Sequence, residues 1–130
     1  MADLVVFVCV HNAGRSQIAA AFFNRLADPA KAQATSGGTR PLSRVHLEAA
    51  VVMREIGIDI SGACPQKLKT QSAALLVTMG CGGECPTLPV AERMDWPLED
   101  PKGKPIEKVR AIRDDIRARV EALIAEHGWK

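Results

Sequence analysis

The sequence predicts an α/β fold in which a parallel sheet carries helices on both faces, within one domain spanning residues 1–130. Three observations support this. Apolar runs rich in β-branched residues alternate with amphipathic stretches, as right-handed βαβ crossovers require. The strand-like runs are continuously apolar, which suits strands buried on both sides. A chain of 130 residues is about one domain and can bury roughly two-thirds of its unfolded surface without staples.

Leu4-Val5-Val6-Phe7-Val8 reads as the first strand. A turn holding Asn12, Ala13 and Gly14 follows, and Ser16 to Leu26 then reads as a helix with Ile18, Ala21, Phe22 and Leu26 on one face. Asp28-Pro29 ends it, because a residue before proline avoids helical backbone. Gln33-Ala34-Thr35-Ser36 makes a weak second strand that stops at Gly37-Gly38. Ser43 is placed to cap a second helix, with Val45, Ala49, Val52, Met53 and Ile56 on one side and Gly57 at its end. Ala73 to Thr78 is another buried strand, and Arg93-Met94-Asp95-Trp96 is a short fourth. The last helix runs roughly from Pro105 to Glu126 on a stripe of Ile106, Val109, Ile112, Ile116, Val120, Leu123 and Ile124. No repeat, low-complexity tract or linker interrupts the series.

Composition removes several function classes. With 47% hydrophobic and 25% charged residues the chain is globular rather than disordered. A balance of 17 basic against 15 acidic residues gives no cationic field for non-specific nucleic-acid binding. No apolar run approaches the ~18 residues of a membrane helix. Met1-Ala2-Asp3 carries an acid where a signal peptide carries bases, so a cytoplasmic location is expected. In that reducing compartment Cys9, Cys64, Cys81 and Cys85 should be free thiols unless chemistry uses them.

Ligands of open α/β sheets bind beyond the carboxyl ends of the strands. The loops expected there hold Cys9 to Arg15, Cys81 to Cys85, and Asp100. Cys9-Val10-His11-Asn12-Ala13-Gly14-Arg15-Ser16 joins a buried strand to a helix start. Such a loop aims backbone N–H groups inward, and the helix dipole adds positive potential. Arg15 can close this cradle with bidentate hydrogen bonds to an oxyanion. A free thiol, with a pKa of about 8.5, is only a few per cent ionised at pH 7, and a positive field favours the thiolate. The pattern suits a nucleophile beneath a tetrahedral oxyanion. Ser16 is expected as the helix cap, as a donor to the sulfur, or both. Asn12 is expected to hold the loop through side-chain hydrogen bonds, and His11 to tune the sulfur or stand by. A buried cysteine alone is usually inert packing; the combination of strand, cysteine, spaced arginine, serine and helix points to chemistry.

A cysteine, five intervening residues, arginine and serine, near the N-terminus after a hydrophobic strand, resembles the low-molecular-weight protein tyrosine phosphatases and the arsenate reductases built on the same fold. The resemblance extends along nearly the whole chain to Asp100-Pro101, near the position of the family's general acid. It implies a four-stranded parallel sheet flanked by helices, with Cys9 as nucleophile, Arg15 as anion clamp and Asp100 as acid.

Both activities begin with thiolate attack on a tetrahedral oxyanion, so the loop does not separate them. Met79 to Pro86 does: it follows the third strand and holds Cys81 and Cys85, with Gly80, Gly82 and Gly83 to let it move. A disulfide relay needs further thiols within reach of the first. This region is similar to the redox loop of the arsenate reductases, although only three residues separate the pair, fewer than in the thioredoxin-coupled group. In that respect the chain resembles actinobacterial arsenate reductases that use a low-molecular-weight thiol such as mycothiol. The phosphatase members bind aromatic phosphoesters beside tyrosines after Asp-Pro. Here Lys102 and Gly103 follow, no tyrosine exists, and Trp96 is left to build an aryl wall. Gly14 stands where both groups often carry a cysteine, so no disulfide can form inside the loop.

The expectation is an arsenate reductase. Cys9 attacks arsenate, Asp100 protonates the departing oxygen, and Cys81 or a small thiol completes the reduction. Cys85 resolves a Cys9–Cys81 disulfide if the relay is internal. No cofactor is expected to be bound; electrons come from an external thiol, either mycothiol with mycoredoxin or thioredoxin. The alternative is a phosphatase hydrolysing phosphoesters through a Cys9 phosphoenzyme. No metal is expected, because a structural zinc site needs four ligands and Cys81 and Cys85 have no second pair. Some family members bind potassium with an acid on the first helix, where this chain has Ala19-Ala20-Ala21. Cys64 reads as a passive loop thiol. Arg40, Arg44, Arg54, Lys67, Lys69 and Arg93 are scattered, and the alternating charges of the last helix suit spaced salt bridges. No nucleic-acid or membrane partner is expected.

Overall fold

The computed structural model describes residues 2–69, 72–80 and 89–130. The elements run β1 (Asp3–Cys9), α1 (Arg15–Leu26), β2 (Ala32–Gly38), α2 (Leu47–Arg54), β3 (Ala73–Thr78), β4 (Val90–Asp95) and α3 (Ile106–His127). The strands form one sheet in the order β2-β1-β3-β4, and every pairing is parallel. From β1 the chain first crosses to β2 on one side and then to β3 on the other. The carboxyl end of β1 is therefore the switch point where such sheets open a crevice. Register places Cys9 beside Gly38 and Val8 beside Thr78.

Alternation along β1 divides its side chains between two packed layers. Val5, Phe7 and Cys9 join Leu75, Val77 and residues from all three helices, among them Ile18, Phe23, Met53 and Ile116. Val6, Val8 and Leu76 face the other way, among Leu4, Val10, Leu68, Ala73 and Val90. Phe7 centres the larger layer, meeting Phe23 edge-on at 6.0 Å and Trp96 at 5.7 Å between ring centroids. A large apolar side chain buried this fully contributes roughly 1.5–3 kcal/mol.

Element boundaries differ from the sequence expectation where segments meet. β2 continues through Gly37 and Gly38, where a missing Cβ admits a neighbour. A Cβ on Gly37 would lie 2.7 Å from the Leu68 Cα, and one on Gly38 would lie 2.6 Å from the Val10 carbonyl oxygen. Gly38 N–H donates to the Gln66 carbonyl, and Leu68 N–H donates to that of Gly38. α2 starts at Leu47 with His46 at its N-cap, not at a Ser43 cap. The N–H groups of Arg40, Leu42 and His46 donate instead to the carbonyls of Val10, His11 and Ala13. Those donors satisfy the loop after β1, so the helix begins beyond them. β4 begins earlier than expected, with Val90 paired to Ala73.

α2 is tied to α3 through buried Arg113, whose Nη1 donates to the Val52 carbonyl at 2.9 Å and to Glu55 at 3.0 Å. Arg110 donates to the same carboxylate at 2.7 Å. The hydrogen bond from Arg110, then the charges and hydrogen bond of the two arginines, hold the Glu55 carboxyl below its ordinary value. These bonds fix the helix whose N-terminus borders the Cys9 loop. Among the described residues, no helix is long and apolar enough to cross a membrane.

Candidate active site

Five successive carbonyls of the loop after β1 are occupied. Val10, His11 and Ala13 accept from Arg40, Leu42 and His46, and Gly14 accepts from Ile18. The Asn12 carbonyl accepts from Gln17 Nε2 at 3.1 Å. In a trans peptide the next N–H points opposite to the carbonyl, and no peptide bond here is cis. The N–H groups of His11 to Arg15 therefore face away from the groups that hold the carbonyls. Asn12 turns the loop with φ +50°, a left-handed conformation that asparagine tolerates better than most residues.

Cys9 sits beneath this loop with 2% of its surface exposed. Its Sγ lies 2.9 Å from Ser16 Oγ. Asn12 Nδ2 donates to the same Oγ at 2.7 Å. With one Oγ lone pair engaged by Asn12, the Ser16 hydroxyl hydrogen is free to point at the sulfur. Asn12 Oδ1 in turn accepts from Gln17 Nε2 at 3.1 Å and from Gln66 N–H at 3.0 Å. Ser16 does not cap α1: Gly14 is the N-cap and makes no side-chain cap bond. The serine lies one position into the helix, and its hydroxyl serves Cys9 and Asn12.

Arg15 opens α1, and its guanidinium is shielded from solvent, the residue being 7% exposed. Nη1 donates to the Leu98 carbonyl at 3.0 Å. It also passes Gly80, where a Cβ would lie 2.6 Å from Nη1 and the backbone holds φ +80°. Gly80 therefore makes room for the arginine, a reason beyond loop mobility. Asp100 lies just past Leu98, half-buried, with its Oδ1 accepting from Lys102 N–H at 3.0 Å. Pro101 rests on Gly14: a Cβ there would meet the proline Cγ at 3.0 Å and His46 Cδ2 at 3.4 Å. Burial, opposed by the charges of Asp100 and Glu48, lowers the His46 pKa, and Lys102 and His11 push the same way as burial.

The structure thus brings Cys9, Val10, His11, Asn12, Ala13, Gly14, Arg15, Ser16 and the Asp100-Pro101 segment to one edge of the sheet. Cys81 and Cys85 lie outside the described residues. Cys64 is exposed. Trp96 is core, 7% exposed and packed on Phe7, so it does not form an aryl-binding wall. Among the described residues no three His, Cys, Asp or Glu side chains gather as a metal site. Sequence reading missed Gln17, Gln66, His46, Glu48 and the Leu98 carbonyl. Gln17 had a local signal, five residues after Asn12; the others reach the site only through the fold.

Residues 4–128 match the low molecular weight phosphotyrosine protein phosphatase family, and the chain belongs to it. Several of its relatives within that family are named arsenate reductases. It is 39% identical over 128 residues to the glutaredoxin arsenate reductase of Synechocystis sp. PCC 6803, covering 94% of this chain and 96% of that one. It matches a solved arsenate reductase in the phosphate binding state with a TM-score of 0.84 and 38% identity, over 95% of this chain and 98% of the other. The Corynebacterium glutamicum thioredoxin-dependent arsenate reductase matches with a TM-score of 0.81 and 34% identity over 96% of this chain, which spans 61% of that protein's length.

Proposed function

We propose that this protein is an arsenate reductase whose nucleophile is Cys9. The nucleophile assignment rests on the buried Cys9 sulfur, 2.9 Å from the Ser16 hydroxyl, under a loop with its carbonyls held outward; relatives named arsenate reductase, at 38% and 39% identity, carry the choice of reduction over phosphoester hydrolysis. The N–H groups of that loop and the Arg15 guanidinium receive the arsenate oxygens, as a tetrahedral dianion requires. Cys9 attacks arsenic; an S–As bond forms and an As–O bond breaks, the oxygen leaving as water with a proton from Asp100. A second thiol, from Cys81 or a small thiol, then attacks the Cys9 sulfur. The new S–S bond forms as the S–As bond breaks, and its electron pair stays on arsenic, which leaves as arsenite. Two thiols are oxidised for each arsenic reduced from the pentavalent to the trivalent state. If the relay is internal, Cys85 attacks the Cys9–Cys81 disulfide and leaves Cys81–Cys85 for an external donor.

That donor is a thiol system of the cytoplasm, where such pools stay reduced. Relatives named as thioredoxin-dependent and glutaredoxin arsenate reductases favour a redox protein, and the short Cys81–Cys85 spacing favours mycothiol with mycoredoxin. Arsenite release from purified protein, compared across thioredoxin, glutaredoxin with glutathione, and mycothiol with mycoredoxin, tests both points. Turnover with at least one donor, abolished by Cys9→Ser, is the expected result. Arsenite production retained in Cys9→Ser overturns the nucleophile. Full activity of Cys81→Ser with a small thiol excludes the internal relay. The phosphatase reading shares the same Cys9, Arg15 and Asp100. Release of phosphate from p-nitrophenyl phosphate much faster than arsenite formation would favour it instead.

A further inference from the structure

The turn carrying Asp100 is fixed at three points. Leu98 is held by Arg15, and Pro101 is seated on Gly14. The third point is Gly103, whose N–H donates to Glu48 Oε2 at 3.1 Å. Glu48 lies in the first turn of α2, two residues past the His46 N-cap. Gly103 adopts φ +73°, and Lys104 N–H closes the turn on the Pro101 carbonyl at 3.1 Å. The backbone at 103 thus presents its N–H to α2 from a conformation that glycine adopts without strain.

We propose that Glu48 is a positioning residue: its carboxylate pins the Asp100–Gly103 turn to the start of α2 and so sets the reach of Asp100 over the Cys9 loop. The proposal rests on the reading of Asp100 as general acid. Hydrogen bonds from its own backbone and from Gly103 hold the Glu48 carboxyl below its ordinary value, helped by the charges of His46 and Lys102, so the acceptor is anionic at neutral pH. Arg110 and Arg113 anchor the other end of the same short helix to α3, which makes α2 a firm support. An acid in a first turn also favours its helix through the dipole, and the experiment must separate that role from positioning.

Single-turnover rates of arsenite formation, with KM for arsenate from steady state, are measured for wild type, Glu48→Ala, Glu48→Gln, Asp100→Asn and Glu48→Ala/Asp100→Asn. Asp100→Asn is expected to slow the step about 100-fold. Glu48→Ala is expected to slow it about fivefold, with KM within about twofold, as misplacement of a reacting group does. Glu48→Gln, whose amide oxygen still accepts from Gly103, recovers the rate. Glu48→Ala adds nothing to Asp100→Asn, because two residues acting through one group are not additive. A slow Asp100→Asn beside an unimpaired Glu48→Ala overturns the positioning role alone. So does an equal loss in both backgrounds, or a Glu48→Gln as slow as Glu48→Ala. A full-speed Asp100→Asn overturns the general-acid reading instead.

Discussion

Asn12 performs several tasks that the loop requires at one position. It supplies the left-handed turn at φ +50°, and its amide hands a hydrogen bond to Ser16. Its carbonyl oxygens take Gln17 and Gln66. Gly80 is the matching case on the opposite wall, where φ +80° and the approach of Arg15 coincide. Gly80→Ala therefore combines a backbone cost of about 1 kcal/mol with displacement of the guanidinium from Leu98. The expected outcome is a KM for arsenate raised at least about tenfold, since loss of a charged hydrogen bond is worth about 1.5–3 kcal/mol. Gly128→Ala is the control: φ +69° carries a similar backbone strain, but nothing lies within 4 Å of the added methyl. It should lower stability in urea melts and leave KM unchanged. Equal KM values for the two variants would contradict the role given to Gly80. Cys9, Arg15 and Ser16 were legible because they are close neighbours in sequence. Gln66 and Glu48 were not, because their parts in the site come from segments that meet only after folding.

Individual elements show the same contrast. β1 and β3 were readable as continuous apolar runs, since both are interior strands of the sheet and water reaches neither face. β4 is an edge strand of mixed polarity, and its start depends on pairing with β3 rather than on its own pattern. Ser43 looked like a helix cap on local grounds, yet residues 40–46 give backbone donors to the Cys9 loop, and this tertiary demand overrode the local preference. The end of β2 matters for the same loop, since Gly38 also exchanges hydrogen bonds with Gln66 and Leu68. Gly37→Ala would place a Cβ 2.7 Å from the Leu68 backbone, a clash that side-chain rotation cannot relieve. A loss of about 1–3 kcal/mol is expected in chemical unfolding, as for other overpacked positions. A variant as stable as wild type would show that the 66–68 segment is not held where it approaches β2.

At the scale of the whole molecule, α3 closes the chain back onto its beginning. It ends in a Schellman turn at Gly128, with Trp129 N–H reaching the Ile124 carbonyl at 3.0 Å. Trp129 Nε1 then donates to Asp3 at 3.1 Å, and its ring stacks on His127 at 4.3 Å. His127 Nδ1 faces the Leu123 carbonyl and Nε2 faces Glu92, each at 2.9 Å. Both partners are acceptors, so the doubly protonated imidazole satisfies both. The Glu92 hydrogen bond, ahead of the Leu123 carbonyl and nearby acids, raises the His127 pKa above its ordinary 6.5. A raised histidine stabilises the fold fully below its unfolded value and loses that contribution as pH rises through the folded value. Wild type should therefore exceed Glu92→Ala by up to about 1 kcal/mol near pH 6, screening included, and by less near pH 9. Thermal melts of both proteins across that range check it; a margin that grows with pH would contradict the pairing. The account of function depends most on Cys9 acting as the nucleophile at the end of β1, and alkylation followed by peptide mapping tests it most directly. Iodoacetamide should modify Cys9 rapidly at neutral pH and be slowed by added arsenate or phosphate, while exposed Cys64 is unaffected by either anion. Slow modification of Cys9 that ignores both anions would contradict the account.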